Sequence, residues 1–317
     1  MEHLRADPIP WLLEMDDPSV RYFTLRDILG RDEADEEMVA AREAIMTSAP
    51  VRTILEAQYP AGYWVRPGWG YSPKYRATLW QIIFLAELGA TRIEAIERAC
   101  EHALEQALLS EAGLFSAWRS PAGAFPCLNG ALLGAYLHFD YGEDPRIKNL
   151  TRALAERVVR DGFRCRYNSA SPKDRSAWQP CAWGAVKVLK ALMQMPEGEM
   201  HIRQAIEAGL SLLCGHDVLS GYPGPRGKSR LWLKFGFPLG LTSDLVELLD
   251  LMAGLGHNCQ SQALEFILSK GDERGRWKLE RTLPKMWVRL ERRGQPSKFV
   301  TLRVLRLLRK VILPQVF

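Results

Sequence analysis

Three cysteines are the side chains of this chain whose type and spacing could do chemistry. Cys127 and Cys181 each open a predicted apolar helix, and Cys165 lies in the loop before the second of these helices. His216 follows a polar helix at the same predicted edge. Thiolates and an imidazole are ligands that zinc accepts. The set therefore predicts a zinc or iron site, and the alternative is that the thiols pack as small apolar groups beneath the loops.

A catalytic role is the second interpretation of the same residues. A helix N-terminus lowers the pKa of a thiol, so Cys127 and Cys181 are candidate nucleophiles. Asp244 is a third catalytic candidate, because it is a lone carboxylate ahead of an apolar helix. Its structural alternative is to cap that helix.

Aromatic side chains form the second candidate site. Their rings would line an apolar cavity that holds an isoprenoid, and their faces would stabilise cationic intermediates. Core packing is the alternative for each of them. Asn129, a polar group on an otherwise apolar helix, is predicted either to point into this cavity or to cap. The aromatic candidates for substrate binding are Tyr75, Trp80, Trp118, Trp178, Trp183 and Trp232.

Six apolar segments must position these residues. They recur at spacings of about 53 to 59 residues and alternate with amphipathic, more polar segments. Such a repeat predicts pairs of helices, with the apolar set inside and the polar set facing water. The fold predicted is all-α, an α6/α6 toroid forming one domain over 1–317. Its inner helices are expected near 18–29, 76–88, 128–139, 181–193, 241–254 and 298–313.

Long loops are all expected at one edge of this double ring, which we call the rim. Each link from an outer helix to the next inner helix is long, whereas each opposite link is short. Long loops on a rigid scaffold usually carry function. The rim loops are 58–75, 110–127, 161–180, 215–240 and 271–297.

One loop motif resembles a known family. Gln58-x-x-x-Gly62-x-Trp64 has weaker copies that end at Phe115, Phe163 and Trp277. It is similar to the QW repeat of squalene and oxidosqualene cyclases and of protein prenyltransferase β subunits. The stretch Phe125-Pro126-Cys127-Leu128-Asn129-Gly130 resembles uncharacterised bacterial members of that group.

The resemblance implies an isoprenoid-like hydrophobic molecule as the ligand. The chain lacks the Asp-x-Asp-Asp and Asp-Asp-x-x-Asp runs with which such cyclases start their reactions, so whether it is an enzyme stays open. Two alternatives also stay open. Paired carboxylates in the cavity would favour a carbohydrate-active toroid, and a cavity filled by side chains would favour a non-catalytic scaffold.

Composition limits the class of protein. The chain has 317 residues, 47% of them hydrophobic, which is ample for one large core. Its six cysteines are too few for a disulfide scaffold. The first residues lack the order of a signal peptide, and no apolar run approaches the ~20 residues of a membrane span. A cytoplasmic protein is expected.

The C-terminal part is strongly basic. Residues 281–310 hold ten basic side chains and one acidic. Arg303, Arg306 and Lys310 share one helix face, which is compatible with a membrane surface, an anionic partner or a solvated edge. Nucleic acid is not expected as a partner, because exposed aromatics and reading motifs are missing from this segment.

Overall fold

Helices form almost all of the ordered secondary structure. The computed structural model describes residues 6–196, 199–223, 229–257 and 261–312. Six helices correspond to the predicted inner set: α2 (Pro18–Asp27), α5 (Thr78–Glu87), α7 (Pro126–His138), α9 (Ala182–Leu192), α11 (Leu245–Gly254) and α13 (Lys298–Ile312). The remaining helices are α1 (Ile9–Leu12), α3 (Glu36–Thr47), α4 (Ala49–Glu56), α6 (Glu94–Ala107), α8 (Pro145–Asp161), α10 (Met200–Cys214) and α12 (Ser261–Ser269). The predicted all-α class is confirmed.

Two short hairpins interrupt the rim loops. β1 (Leu108–Leu109) pairs antiparallel with β2 (Leu114–Phe115), and β3 (Arg164–Cys165) pairs antiparallel with β4 (Gln179–Pro180). Each strand has only two residues, so the apolar pattern of the sequence did not reveal them.

Inner helices contact one another in chain order. α5 packs on α7, α7 on α9, α9 on α11, α11 on α13, and α13 returns to α2. The outer helices α3, α6, α8, α10 and α12 each pack against the inner helix that precedes them. The segment predicted as one outer helix, 33–58, is two helices that break at Ser48. Pro50 explains the break, because it has no N–H for a continuous helix.

Aspartate side chains cap the N-termini of four of the α-helices. Each accepts a hydrogen bond from a backbone N–H in the first turn, which would otherwise lack a partner. These N-cap residues are Asp17 for α2, Asp35 for α3, Asp144 for α8 and Asp244 for α11.

The loop corners that carried the repeat are buried aromatic anchors. Trp64, Phe115, Phe163 and Trp277 are at most 2% exposed. The glycine one or two residues before each of them has a positive φ, between 62° and 83°. A Cβ at Gly62 would lie 2.3 Å from the carbonyl oxygen of Arg98. Glycine is therefore required by both the backbone conformation and the space.

The last rim loop reaches back to the second helix pair. The indole Nε1–H of Trp287 donates to the carbonyl oxygen of Arg76 at 2.9 Å. The guanidinium of Arg76 lies 3.8 Å from the centre of the same indole ring. Loop 271–297 thus connects residues that are far apart in the sequence.

Close packing of α7 on α9 brings Cys127 and Cys181 together. A Cβ at Gly130 would lie 2.5 Å from backbone atoms of Lys187 and Val188, so only glycine fits there. A Cβ at Gly184 would lie 3.6 Å from both the Cys127 nitrogen and the Cys181 Cβ. The start of each helix is therefore beside the other.

Some predictions lie outside the described residues: the end of the last helix at 313, the start of the outer segment at 258 and the position of Cys259. The single-domain assignment stays a prediction. None of the described helices has the length and apolarity needed to cross a bilayer.

Candidate functional site

A cavity of about 500 Å³ opens among the rim loops. It lies at the N-terminal ends of α5, α7 and α9, and we call it the rim cavity. Its volume is within the roughly 300–1,000 Å³ of small-molecule sites. The residues that line it are Tyr71, Lys74, Tyr75, Trp80, Phe125, Cys127, Cys165, Tyr167, Asn168, Cys181, Ala182, Trp183, Tyr222, Pro223, Ser229, Leu231, Trp232, Leu239, Leu241, Thr242 and Leu283.

Aromatic rings form two walls of the rim cavity. In one, the ring of Trp80 lies 4.7 Å from that of Tyr75 and 5.3 Å from that of Tyr71. In the other wall, the ring centres of Trp232 and Trp183 lie 6.2 Å apart. Four of the predicted ligand-binding residues, Tyr75, Trp80, Trp183 and Trp232, are therefore brought together. The rings of the first wall contact one another edge-on or tilted, as aromatic pairs prefer.

Two predicted ligand-binding tryptophans are elsewhere. Trp118 packs behind Phe125, at 5.2 Å between ring centres, and does not reach the rim cavity. Trp178 faces a cleft on the outer side, where its Nε1–H donates to the carbonyl oxygen of Pro172. Their role in ligand binding stays a prediction that these positions do not support, because loop position alone does not say to which side of a loop a side chain turns.

The described part of the mouth of the rim cavity is mainly apolar and includes the cation of Lys74. Tyr167 is 55% exposed and Leu231 is 41% exposed there. The ammonium of Lys74 lies 5.9 Å from the ring centres of both Tyr71 and Tyr167. No sequence signal distinguishes Lys74, Tyr167 or Leu231, since none of them differs by type from ordinary loop residues.

Trp183 contributes an unused hydrogen-bond donor. Its Nε1 is buried and has no hydrogen-bond partner among the described residues. Trp80, in the same cavity, donates its Nε1–H to the carbonyl oxygen of Tyr71 at 2.8 Å. A buried donor without an acceptor costs roughly 1–3 kcal/mol. A ligand with an acceptor atom near Trp183 would recover that energy.

The three predicted cysteines all line the rim cavity. The thiol of Cys181 hydrogen-bonds the sulfur of Cys165, and this contact, with the backbone N–H groups of Tyr167 and Asn168, lowers the pKa of Cys165 to about 7 despite burial. The same hydrogen bond, together with burial, raises the pKa of Cys181. Burial raises the pKa of Cys127 to about 12. Cys165 is thus the most acidic of the three thiols, and the Cys181 thiol is its hydrogen-bond donor.

His216 does not join the cysteines. Its Nδ1 hydrogen-bonds the carbonyl oxygen of Leu212 at 3.2 Å, and its ring lies 5.6 Å from that of Tyr222. Within the described parts of the chain, no group of three or more His, Cys, Asp or Glu side chains is arranged to hold a metal ion. The zinc or iron site stays a prediction, to which these contacts add no support.

Asp244 has a structural role. Its carboxylate accepts bonds from Arg303 at 2.6 and 3.0 Å and from the backbone N–H of Glu247 and Gly236. It is fully buried and lines neither the rim cavity nor the axial cavity described below. The capping alternative is therefore observed, and the catalytic assignment stays a prediction to which these contacts add no support.

Asn129 is likewise committed to the fold. Its Oδ1 accepts from the N–H of Phe115 at 2.8 Å. Its Nδ2 donates to the carbonyl oxygens of Phe115 and Phe125, each at 3.0 Å. The side chain is fully buried and outside the rim cavity, so substrate binding by Asn129 stays a prediction without support from its position.

A second cavity, of about 270 Å³, lies among the inner helices. All six inner helices contribute lining residues, and we call it the axial cavity. Leu239 lines both cavities. The charged groups that line the axial cavity are Arg26, Glu87, Lys187, Lys190, Glu247, Asp250, Arg303 and Arg306.

Buried ion pairs satisfy most of these charges. Lys187 Nζ donates to both carboxylate oxygens of Glu247 at 2.9 Å, and Lys190 Nζ donates to one of them at 3.0 Å. Burial opposes ionisation of Glu247, but the two lysines overcome it and lower its pKa. Burial raises the pKa of Glu87, whose Oε2 has no hydrogen-bond partner among the described residues.

The basic face of α13 points inward. Arg303 pairs with Asp244, Arg306 with Asp27 and Lys310 with Asp250. The three cations share a face of α13 as predicted. Their charges are already neutralised by Asp27 of α2, by Asp250 of α11 and by the N-cap residue of α11, Asp244. These contacts give a membrane surface or an anionic partner no support. A sequence signal for these buried ion pairs was present, because charged residues such as Arg303 and Arg306 recur three residues apart in an otherwise apolar helix.

Comparisons with known proteins find structures but no family. No family model matches the chain, and no curated protein matches it in sequence. A variant of the type II terpene cyclase MstE from Scytonema, in complex with merosterolic acid A, is similar at a TM-score of 0.29 and 13% identity, over 85% of this chain and 96% of that one. MstE without ligand is similar at a TM-score of 0.27 and 16% identity, over 86% and 98%. The chemistry of the cavities must therefore come from the residues that line them.

Proposed function

We propose that the protein binds an apolar, isoprenoid-like molecule in the rim cavity. The observation that carries the proposal is a 500 Å³ cavity lined by aromatic rings and opening through exposed apolar side chains. Burial of an apolar ligand against such walls is favourable by about 25 cal/mol per Å² of apolar surface removed from water. The similarity of Gln58-x-x-x-Gly62-x-Trp64 to the QW repeat makes isoprenoids the first class to test.

Cyclisation started by a carboxylic acid has no support in this cavity. Its described lining residues include no Asp, Glu or His. The polar side chains among the described lining residues are the three cysteines, Lys74, Asn168 and several hydroxyl groups, and Trp183 adds a buried N–H. Ligand binding is therefore the function that the lining supports directly, and any chemistry there would involve the thiols.

The axial cavity bears on the carbohydrate alternative. Among the carboxyl groups that line it are those of Glu87 and Glu247, and the pKa values of these two move in opposite directions. Glu247, however, already accepts hydrogen bonds from Lys187 and Lys190. Hydrolysis needs a second carboxylate that is free to act as base or nucleophile. The carbohydrate alternative is therefore the weaker one.

Titration of the chain with farnesol and geranylgeraniol, followed by tryptophan fluorescence, tests the proposal. Leu231→Asp places a charge at the cavity mouth, and we expect it to weaken binding by about ten-fold, since a charge there replaces apolar contact with the ligand. Leu29→Asp is the matched control, because Leu29 is also 41% exposed but lies outside both cavities. The proposal fails if neither alcohol quenches the fluorescence, or if both variants bind as the parent does.

A further inference from the structure

We propose that Cys165 is a nucleophile of the rim cavity and adds to an apolar α,β-unsaturated carbonyl compound, with Trp183 holding the carbonyl oxygen. The inference rests on the proposed binding of an apolar molecule in this cavity. It adds a substrate class and a covalent step to it.

The β3–β4 hairpin positions the nucleophile. Cys165 lies opposite Gln179 in the ladder, and the N–H of Cys181 donates to the carbonyl oxygen of Phe163 at 2.9 Å. Both cysteines are therefore on one face of the hairpin, two residues apart across the strands. Asn168 ties the loop by donating from its side chain to the carbonyl oxygen of Pro180. The hairpin thus presents Cys165 to the cavity with Cys181 beside it.

Thiolate character is concentrated on one of the three cysteines. Cys165 receives the hydrogen bond of the Cys181 thiol and is also favoured as an anion by two backbone N–H groups and by Arg157. Cys127 and Cys181 are held as thiols. The thiolate is the reactive form of cysteine. The site therefore contains one nucleophile and an adjacent proton donor.

The unpartnered N–H of Trp183 is the second, independent feature of the site. The Trp183 side chain lines the same cavity, and its buried Nε1 has no acceptor among the described residues. A donor fixed in an apolar site stabilises negative charge that develops on an oxygen during reaction. In a conjugate addition that oxygen is the carbonyl oxygen of the ligand.

The step balances with solvent water as the only further reactant. The Cys165 sulfur forms a bond to the β-carbon, and the C=C π pair moves to give an enolate whose oxygen accepts from Trp183 Nε1–H. The Cys181 thiol gives its proton to the α-carbon, and water then reprotonates the Cys181 sulfur. The product is a saturated carbonyl compound joined to Cys165 as a thioether. Acyl transfer fits less well, because the described lining offers no carboxyl or imidazole to protonate a leaving group.

The test is labelling of the full chain with dec-1-en-3-one at pH 7, read by peptide mass mapping. We expect the adduct on Cys165, formed about three- to ten-fold faster than on the exposed Cys214, because a lower thiol pKa raises the thiolate fraction more than it lowers reactivity. Cys165→Ser should remove the cavity adduct. An adduct on Cys127 or Cys181 with Cys165 unmodified, or equal rates at Cys165 and Cys214, would overturn the proposal.

Trp183→Phe separates the role of the N–H from packing. The substitution should lower the rate of addition of Cys165 to the enone by about ten-fold, as expected on losing one donor to a developing oxyanion. The rate of modification of Cys165 by methyl methanethiosulfonate should not change, since that reagent forms no enolate. Equal slowing of both reagents would reject the role given to Trp183.

The saturated ketone decan-3-one separates this inference from the proposed function. Protection of Cys165 from methyl methanethiosulfonate by the ketone, without addition of the enone, rejects only the covalent step, whereas absence of protection and of farnesol binding rejects both.

Discussion

The indole Nε1–H of Trp64 donates a hydrogen bond to the carbonyl oxygen of Ile54 at 2.7 Å. Trp277 makes the same bond to Ile267, also at 2.7 Å and also ten residues earlier in the chain. The backbone N–H of each tryptophan donates to a threonine in the first turn of the next inner helix, Thr78 or Thr301. Each tryptophan therefore joins the end of one outer helix to the start of the following inner helix.

Trp64→Ala should lower the free energy of unfolding by about 3–5 kcal/mol, as removal of a large buried aromatic does. Trp64→Phe, which keeps most of the ring but leaves the Ile54 carbonyl without its donor, should cost about 1–3 kcal/mol. Tyr59→Ala is the control, because Tyr59 is 50% exposed in the same loop. Urea denaturation measures all three, and an unchanged midpoint for Trp64→Ala would contradict the anchoring role.

Asn129→Leu should destabilise the fold and spare ligand binding. The substitution leaves the N–H and carbonyl groups of Phe115 unsatisfied in the core, and we expect a loss of about 2–4 kcal/mol. Asn149→Leu, on the half-buried part of α8, should change stability by no more than about 0.5 kcal/mol. If the Asn129→Leu protein is as stable as the parent but no longer binds farnesol, Asn129 belongs to the ligand site after all.

Lys187→Met should cost about 3–5 kcal/mol, because it removes the cation that binds both oxygens of the buried Glu247. Lys190→Met is the matched control: it binds the same carboxylate, but its side chain is half exposed, and the expected cost is about 1 kcal/mol or less. Adding Glu247→Leu to Lys187→Met should recover most of the loss. Chemical denaturation of the parent, Lys187→Met, Glu247→Leu and the double variant gives the coupling energy, and additive losses would contradict a buried pair.

Glu87 and Glu247 should affect the pH dependence of stability with opposite signs. Burial raises the folded-state pKa of Glu87, so its contribution is present below the ordinary pKa of about 4.5 and is lost as the pH rises through the folded value. Glu87→Gln should therefore lose less stability between about pH 5 and 8 than the parent. Denaturation midpoints across this range provide the measurement, and parallel curves for variant and parent would reject the shift.

The lysines give Glu247 the reverse behaviour. Its lowered pKa means that its stabilising contribution is present above the ordinary carboxyl pKa and is lost as the pH falls through the folded value. Glu247→Gln should lower stability at pH 7 and then lose less than the parent on acidification below about pH 4. If the stability of Glu247→Gln falls in parallel with that of the parent as the pH is lowered, this prediction is contradicted.

The sequence by itself determined the helices and the side of the fold on which the long loops lie. Apolar residues recur with the helical period in six segments, and burial of such stripes is the main driving force for folding, so α2, α5, α7, α9, α11 and α13 follow closely from local pattern. The corner glycines and their aromatic partners were also readable, because a positive φ requires a special residue type. Convergence of Cys127, Cys165 and Cys181 followed from the same repeat.

Tertiary structure alone decided what the polar side chains do. Asp244 and Asn129 were candidates by type, but their partners, Arg303 and Phe115, are distant in the sequence. The cations of α13 were expected at a surface and instead neutralise acids on other inner helices. Periodicity fixes which face of a helix carries a residue but not which helix that face meets, and hydrogen bonds and ion pairs depend on distances of about 3 Å between chain segments.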